Sequence, residues 1–244
     1  MEQAEPAPPS FPEEFHEVPL DRADRDPWWR WGYRILGALF RLLFKLRYRG
    51  RQNVPQQAGA IIASNHISVL DPVIIAMAAT TTGRAVRFLA AAEYFRKPFI
   101  GWGLRRIRQI PIRRGASDRR ALEQAASIIR KGALAGIFPE GTLSGDGNLL
   151  PGRRGVARIA LASGVPVIPC GIWGTRARWP RGKFRWNRPL RPKVVVAFGP
   201  VLQPEGELEN PRDVQALTER IMQAIGEQVE IAKAEVEGGR RPAA

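Results

Sequence analysis

From residue 59 onward, short apolar runs alternate with stretches of helical spacing, and this alternation limits the folds open to the chain more than any other feature. Six runs are candidate strands: 60–64, 86–90, 109–112, 134–138, 166–170 and 193–198. Four stretches are candidate helices: 72–79, 117–131, 155–162 and 211–236. Alternating strands and helices are typical of a sheet with crossover connections. We therefore predict an α/β fold with a central, mostly parallel sheet flanked by helices.

Composition divides the 244 residues into four segments around a single core. Residues 1–26 are rich in proline and acids, so we predict a disordered acidic tail. We expect an amphipathic helix at 27–48, the α/β domain at 49–204, and a C-terminal helix and tail at 205–244.

Charge is distributed unevenly along the chain. Residues 1–26 hold eight acids and two bases, and residues 205–244 hold nine acids and five bases. Since the whole chain carries +15, the segment between them carries +25. Such a basic core predicts a polyanionic partner, and nucleic acid, anionic lipid and phosphorylated substrates all fit.

The number of cysteines and the composition of the first residues indicate the cellular compartment to expect. Cys170 is the only cysteine, which excludes an intramolecular disulfide and a cysteine-rich metal site and favours a reducing compartment. The acidic, proline-containing start predicts no export signal, because such a signal needs a basic start and an apolar run.

Residues 28–47 form the most aromatic and apolar stretch, yet basic residues interrupt it throughout. At 100° per residue, four of them fall within an arc of about 60° on a helix: Arg30, Arg34, Arg41 and Lys45. A spanning helix needs about 20 nearly uncharged residues, so the pattern favours a helix that lies in the membrane interface. The alternative is an amphipathic helix docked on the protein's own core.

The segment from Asn65 to Asp71 (NHISVLD) directly follows a candidate strand. Their spacing places His66 and Asp71 about 140° apart on one regular helix, so they meet only if Asp71 begins a helix and His66 lies in the loop before it. The carboxylate would then orient one imidazole nitrogen and leave the other as a base. The alternative is that Ser68 and Asp71 form a capping box, or that Asp71 caps a helix before Pro72.

Two further motifs stand at strand ends, 110–115 (IPIRRG) and 138–142 (FPEGT), and a third, 165–171 (VPVIPCG), is a buried-strand pattern with prolines at its edges. If the strands are mostly parallel, His66, Arg114 and Glu140 emerge at the carboxyl edge of one sheet. That edge is where α/β proteins bind their ligands. The sequence therefore predicts a functional site at this edge.

NHISVLD, the arginine of IPIRR, FPEGT and VPVIP stand in the order and approximate spacing of the four motifs of the glycerolipid acyltransferase family. The chain resembles this family, which includes the 1-acylglycerol-3-phosphate acyltransferases, over residues 49–200. The resemblance implies transfer of a fatty acyl chain from a thioester of coenzyme A or acyl carrier protein to the free hydroxyl of a lysophospholipid. The expected acceptor is 1-acylglycerol 3-phosphate, and the expected product is phosphatidic acid.

The resemblance also implies a role for each motif residue. His66 would be the general base and Asp71 would orient it. The acceptor's phosphate and glycerol would be bound by Arg114, Glu140, Gly141 and Thr142. No metal is expected, and no cofactor beyond the thioester co-substrate.

The physical chemistry of the residues agrees with that assignment. Histidine is the side chain best suited to take a proton near pH 7, and His66 is the only imidazole available to the core because His16 lies in the acidic tail. Cys170 sits in a candidate buried strand with no second histidine to activate it. We therefore expect direct transfer without an acyl-enzyme.

The expected partners are an anionic membrane surface, the lysophospholipid, and acyl-CoA or acyl carrier protein, with no nucleic acid. We expect a peripheral or monotopic protein on the cytoplasmic face of the cell membrane. Residues 176–193 carry eight bases, no acids and three aromatic residues, which predicts a second membrane contact. A solvated loop is the alternative.

The chain departs from the family's usual pattern near the acceptor. Leu143 follows FPEGT where an arginine is usual, Arg113 stands at a position that is usually acidic, and alanines precede Glu93 where a lysine is usual. Arg153 and Arg154 either compensate for these changes or form a solvated basic turn. Two functional alternatives stay open: the same chemistry on glycerol 3-phosphate or another lysophospholipid, and a basic nucleic-acid-binding protein, which charge alone supports.

Overall fold

The computed structural model describes residues 27–112, 119–180, 184–185 and 191–238. Its strands are β1 (Lys45–Arg49), β2 (Ala60–Ser64), β3 (Val86–Ala91), β4 (Ile110–Ile112), β5 (Leu134–Ile137), β6 (Val167–Trp173) and β7 (Lys193–Phe198). Its α-helices are α1 (Pro27–Leu43), α2 (Asp71–Thr80), α3 (Ala92–Phe95), α4 (Pro98–Arg106), α5 (Arg119–Arg130), α6 (Gly155–Ser163) and α7 (Pro211–Glu237). Short 3₁₀ turns lie at Arg51–Asn53 and Thr175–Ala177.

The strands form one sheet in the order β1-β7-β6-β2-β5-β3-β4. Strands β2 to β6 pair in parallel with one another. Strand β7 pairs antiparallel with β6, and β1 pairs in parallel with β7. The predicted α/β fold with a mostly parallel sheet is therefore confirmed, and the carboxyl ends of five strands meet at one edge.

Helices cover both faces of this sheet. Neighbouring residues of a strand point to opposite faces, so Ile62 packs with the α1 and α2 side while Ile61 packs with the α5, α6 and α7 side. Fully buried members of the first cluster include Phe44, Ile74 and Ile75 on the α1 and α2 side. Parallel strands buried on both faces explain why the chain reads as continuous apolar runs.

The predicted helix at 27–48 is wrong at its C-terminal end. Helix α1 ends at Leu43, and Lys45–Arg49 form the edge strand β1, which pairs with β7. The reason is that buried and exposed residues alternate one by one after Leu43, as they do in a strand. Leu46 and Tyr48 pack against the core, whereas Lys45, Arg47 and Arg49 are exposed. Charged side chains on an edge strand also discourage pairing with another chain.

Helix α1 has two apolar stripes. Phe40 is buried and Leu36 packs against the same core cluster, as the docked-helix alternative requires. A second stripe is exposed: Trp31, Ile35, Leu39 and Leu42, at 48% to 69% of full exposure. No helix within the described ranges is both long enough and apolar enough to cross a bilayer.

The C-terminal helix follows the prediction closely. Asn210 caps α7 by accepting a hydrogen bond from Arg212 N at 3.0 Å, and Pro211 stands in the first turn. Its buried residues include Val214, Leu217, Ile221 and Ile225, so α7 belongs to the core and not to a separate tail. The acidic tail predicted at 1–26 lies outside the described residues. Two short helices, α3 and α4, were not predicted at all.

Candidate active site at the carboxyl edge of the sheet

His66 and Asp71 meet at the edge where strand β2 gives way to helix α2. The loop 65–70 carries His66 past the end of β2, and Asp71 is the first residue of α2. His66 Nδ1 lies 3.1 Å from Asp71 Oδ2. The geometry predicted from the spacing of the pair is therefore found, with His66 in the loop and Asp71 at the helix start.

The Asp71 carboxylate is fully buried and is held by donors from two parts of the chain. Oδ2 accepts hydrogen bonds from Ile67 N at 2.7 Å and Ser68 N at 2.6 Å, besides the contact with His66. Thr175 Oγ1 donates to Oδ1 at 2.7 Å. A buried carboxylate is stable only with such partners. Because the carboxylate is fixed, it also fixes the imidazole.

The contact with Asp71 decides which nitrogen of His66 is basic. A carboxylate is an acceptor, so Nδ1 carries the hydrogen and Nε2 keeps its lone pair. Nε2 makes no hydrogen bond with any residue of the described ranges, and the side chain is 19% exposed. His66 therefore presents one free basic nitrogen to a solvent-connected space.

The start of α2 matches the capping alternative in part. Ser68 N donates to Asp71 Oδ2 at 2.6 Å, which is the bond from the first residue of a capping box to its acidic residue. Ser68 Oγ accepts from Leu70 N at 3.2 Å and also donates to Trp179 O at 2.5 Å. Asp71 does not itself cap the helix before Pro72, because it is the first residue of α2. The Asp71 carboxylate therefore contacts the imidazole and also holds the turn that leads into α2.

The FPEGT segment holds the backbone of His66. Glu140 Oε1 accepts a hydrogen bond from His66 N at 2.8 Å, and Oε2 accepts one from Leu150 N at 3.2 Å. Ser144 N donates to His66 O at 2.7 Å. Both backbone groups of His66 are thus tied to the loop that follows β5.

Glu140 itself is nearly inaccessible, at 3% exposure. Burial raises the pKa of its carboxyl above the ordinary range, and its backbone hydrogen bonds with His66 and Leu150 oppose that shift. The acceptor-binding role predicted for Glu140 stays a prediction. What the geometry contains is a carboxylate that braces His66.

Aromatic stacking supports the imidazole ring from below. The rings of His66 and Phe138 stack with centroids 4.1 Å apart, and Phe138 stacks on Phe88 at 5.3 Å. Phe88 lies opposite Gly136 in the sheet, and a Cβ at Gly136 would fall 2.5 Å from the Phe88 ring. Because Gly136 has no side chain, the Phe88 ring has the space to lie beside it and to stack on Phe138.

Asn65 joins the same loop to β6. Its Oδ1 accepts from Ile172 N at 2.8 Å and its Nδ2 donates to Ile172 O at 3.0 Å. The two bonds continue the β2–β6 pairing by one step beyond Ser64 and Cys170. As a result, the chain leaves the sheet at a defined point immediately before His66.

Of the remaining predicted site residues, Gly141 and Thr142 lie in the turn that follows β5. Gly141 has φ +67°, and Gly141 N donates to Phe138 O at 3.0 Å in a tight turn. A Cβ there would lie 2.8 Å from Arg153 Nε, so the Arg153 side chain packs directly over the turn. Thr142 is exposed beside it. Arg114 lies outside the described residues, and so does Arg113.

Cys170 lies fully buried in β6. Burial raises the pKa of its thiol to about 12, which leaves almost no thiolate near neutral pH. The expectation that Cys170 lies in a buried strand is therefore confirmed. The described ranges hold no group of three His, Cys, Asp or Glu side chains arranged to bind a metal.

The described part of the basic loop at 176–193 packs against the protein. The ring of Trp179 meets that of Phe184 edge-on at 5.4 Å, and the Arg178 guanidinium lies 5.8 Å from the Phe184 centroid. Arg176 donates to Gly145 O at 2.7 Å and also to Asp146 O. The membrane contact predicted for this loop stays a prediction. Residues 181–183 and 186–190 of the loop lie outside the described ranges.

Sequence reasoning missed Thr175 and the structural use of Asn65. Thr175 is 104 positions from Asp71, and nothing in the sequence pattern links the two. The candidate strand at 166–170 was predicted too short: β6 runs to Trp173, and this longer strand is what brings Thr175 to the same sheet edge as the other motifs.

Comparison with known proteins extends this description. A family model described as Acyltransferase matches residues 45–173. A 1-acyl-sn-glycerol-3-phosphate acyltransferase from Pseudomonas aeruginosa is 30% identical, covering 75% of this chain and 68% of the relative. A crystal structure of the 1-acyl-sn-glycerophosphate (LPA) acyltransferase from Thermotoga maritima has a TM-score of 0.65 at 26% identity, covering 88% of this chain and 80% of that one.

Some relatives are considerably longer than this chain. A chloroplastic 1-acyl-sn-glycerol-3-phosphate acyltransferase from Brassica napus is 32% identical over 57% of this chain, but the match spans only 40% of the relative. The family-model match at 45–173 contains strands β1 to β6 and the His66–Asp71 edge, and β7 lies outside it.

Proposed function

Because the chain belongs to the acyltransferase family, we propose that it transfers a fatty acyl chain from an acyl thioester to the free hydroxyl of 1-acylglycerol 3-phosphate, giving phosphatidic acid. The observation that carries the proposal is the His66 Nδ1–Asp71 Oδ2 contact at 3.1 Å, which leaves His66 Nε2 as a base at the ligand edge of the sheet. The acceptor is inferred from the relatives, which are 1-acyl-sn-glycerol-3-phosphate acyltransferases.

His66 and Asp71 form the general-base pair of this reaction. The acceptor hydroxyl gives its proton to His66 Nε2 as its oxygen attacks the thioester carbonyl carbon. The tetrahedral intermediate collapses, the carbon–sulfur bond breaks, and the proton on Nε2 passes to the departing thiolate. Asp71 stabilises the imidazolium that exists between these two proton transfers.

The buried frame around the pair supports direct transfer in one site. His66 is held at its backbone N–H and C=O, at its ring face and at Nδ1. The acceptor is aligned with such a preorganised base without prior movement of the base. Cys170 is buried, and its raised pKa disfavours a covalent acyl-enzyme.

The acceptor's phosphate binds to a guanidinium in this proposal. Arg114 supplies it, and Gly141 and Thr142 contribute to binding the rest of the acceptor head group. Arg153, which packs over Gly141, is the alternative phosphate ligand, because it brings a guanidinium to the turn where Leu143 replaces the family's usual arginine. Coenzyme A and acyl carrier protein both remain as donors.

The exposed stripe of α1 supports membrane-surface attachment. Trp31, Ile35 and Leu39 project from the protein, and Arg34 lies 5.7 Å from the Trp31 ring centroid. Aromatic, aliphatic and basic side chains on one helix suit an anionic bilayer interface. The protein then acts as a peripheral or monotopic enzyme on the cytoplasmic face of the cell membrane.

The test is an assay of the purified full chain with a labelled acyl thioester. Palmitoyl-CoA and palmitoyl acyl carrier protein are each offered with 1-acylglycerol 3-phosphate, glycerol 3-phosphate and lysophosphatidylcholine. We expect labelled phosphatidic acid as the dominant product. Faster acylation of glycerol 3-phosphate or lysophosphatidylcholine would move the proposal to that acceptor, and the absence of any acyl transfer from either donor would refute it.

A further inference from the structure

Helix α4 exposes its large apolar side chains and buries a glycine, which is the reverse of what a helix packed on a protein core shows. Its buried residue is Gly101, whereas Phe99 is 91% exposed and Trp102 is 65% exposed. Residues 99 and 102 fall within an arc of about 60°, and Gly101 lies about 160° from the first and about 100° from the second. A surface helix ordinarily turns its large apolar residues inward.

Contacts with α3 hold α4 in this orientation. A Cβ at Gly101 would lie only 2.1 Å from Phe95 O, so the bare glycine backbone is pressed against the end of α3. Arg105 Nη1 donates to the same carbonyl oxygen at 2.8 Å. Phe95 itself is buried in the protein. The outward direction of Phe99 and Trp102 is therefore set by the packing and is not a free choice of rotamers.

The exposed apolar side chains of this segment alternate along the chain with basic residues. We call Phe99, Ile100, Trp102 and Ile107 the α4 patch; their exposure ranges from 41% to 91%. The segment 93–108 carries five bases and one acid. Three of the bases are exposed, namely Arg96, Lys97 and Arg105. Lys97 Nζ also lies 5.6 Å from the ring centroid of Tyr94.

Topology puts the α4 patch on the same side of the sheet as the exposed stripe of α1. The connections β2–α2–β3 and β3–α3–α4–β4 both advance toward β4 in the sheet order. Since parallel crossovers are right-handed, both connections lie on one face. Phe40 of α1 packs with residues of α2 on that face, whereas α5 and α7 cover the other.

The patch also lies near the catalytic edge. Strand β4 pairs only with Leu89, Ala90 and Ala91, the last three residues of β3. The connection 92–109 therefore leaves and re-enters the sheet in its carboxyl half, two strands away from β2 and His66.

We propose that the α4 patch is a second bilayer-docking surface, separate from α1, which inserts Phe99 and Trp102 among the acyl chains of an anionic membrane while Arg96, Lys97 and Arg105 contact its head groups. Two apolar stripes on one face of the sheet suit an extended planar partner, and the bordering bases complement its negative charge. The proposal goes beyond acyl transfer and needs no substrate for its test.

Docking at two points gives the bilayer a defined orientation relative to the protein. A single helix would leave the protein free to rotate about it, whereas α1 and α4 together bring the carboxyl edge of β3 toward the lipid. A membrane-borne acceptor then reaches His66 without leaving the bilayer for bulk water.

The first experiment reports on the patch directly. Phe99→Cys in the full chain is labelled with the environment-sensitive fluorophore NBD, since the natural Cys170 is buried and wild type serves as the labelling control. Ile231→Cys is the matched site, because Ile231 is 50% exposed on α7 at the opposite face. Vesicles contain either equal parts of phosphatidylglycerol and phosphatidylcholine, or phosphatidylcholine alone.

We expect emission from position 99 to rise and shift to the blue on the anionic vesicles, to respond less on the neutral ones, and to stay unchanged at position 231. An unchanged signal at position 99, or equal signals at both positions, would overturn the proposal. A response at position 99 to added acyl carrier protein but not to vesicles would do so as well, since the patch would then bind a protein.

The second experiment measures affinity by vesicle flotation. Phe99→Ser with Trp102→Ser should weaken binding to anionic vesicles by about tenfold or more. The matched double variant, Val201→Ser with Ile231→Ser, should leave binding unchanged, and circular dichroism checks that both remain folded. If the patch variant bound like wild type, or converted a dimer to a monomer without loss of vesicle binding, the α4 patch would not be a bilayer surface.

Discussion

The His66 loop buries polar side chains, whereas the face that carries α1 and α4 exposes apolar ones. In the loop, Asn65, Ser68 and Asp71 are buried and each makes hydrogen bonds that fix the backbone or the imidazole. On the α1 and α4 face, Trp31 and Phe99 are left largely exposed. The loop holds the imidazole through several specific contacts, whereas the exposed face needs only chemical affinity for a fluid surface.

This difference predicts how each region responds to substitution. Buried polar groups are coupled, so removing one leaves a partner unsatisfied and disturbs the geometry around it. Exposed apolar and basic residues act almost independently, so their effects should be smaller and roughly additive. Four experiments test the contrast.

The largest effect is expected for His66→Ala. Turnover should fall by about two to four orders of magnitude, the usual contribution of a general base, while the protein stays folded. Steady-state acyl transfer measures the change, and circular dichroism checks the fold. His16→Ala is the matched control and should retain wild-type turnover. Near-normal turnover of the His66 variant would refute the proposed mechanism.

Arg114→Ala should raise the KM for the phosphorylated acceptor by about tenfold or more with a smaller change in kcat, since a guanidinium binds phosphate through two hydrogen bonds. Lysine at this position should restore only part of the affinity. Arg153→Ala is measured in parallel. If it raises the acceptor KM and Arg114→Ala does not, the phosphate binds over the FPEGT turn.

Thr175→Val tests whether the buried donors act through Asp71. Loss of the 2.7 Å hydrogen bond should lower kcat by about tenfold and leave the acceptor KM unchanged, because Thr175 positions the base pair and does not contact the substrate. Thr175→Ser keeps the hydroxyl and should recover most of the turnover. Near-normal turnover of the valine variant with a loss in the serine variant would show that the methyl group matters and the hydrogen bond does not.

The smallest effect is expected on the exposed face. Arg34→Gln should weaken binding to anionic vesicles by at most about fivefold, and the loss should fade as salt screens the charge. Lys131→Gln at the end of α5, on the other face, is the matched control. Co-sedimentation over a salt series measures both. If the two variants behaved alike, the charge of α1 would not contribute to membrane binding.

A pH series adds a stability test of Glu140, the buried brace. Its pKa is raised in the folded protein, so its contribution to the free energy of unfolding is present below the ordinary value of 4.5 and is lost as the pH rises through the higher folded value. Glu140→Gln cannot titrate. The stability of wild type relative to this variant should therefore decline across that window in urea unfolding.

Much of the fold was predictable because its signals are local. The apolar runs at 60–64 and 193–198 coincide with β2 and β7, and Asn210 and Pro211 mark the start of α7. The helix at 27–48 was predicted too long because a period-two pattern is hard to see in the five residues of β1. Helices α3 and α4 were missed because both are short and α4 is apolar on its outer side.

The sequence by itself determined the order of the motifs, the sheet edge on which they converge and the pairing of His66 with Asp71, because strand ends and helix starts are encoded within a few neighbouring residues. Only the tertiary structure decided that Thr175 holds Asp71, that Glu140 braces His66, and which apolar residues of α1 and α4 face outward. Those contacts join residues far apart in the chain, and spacing along a sequence carries no information about such distances until the sheet brings them together.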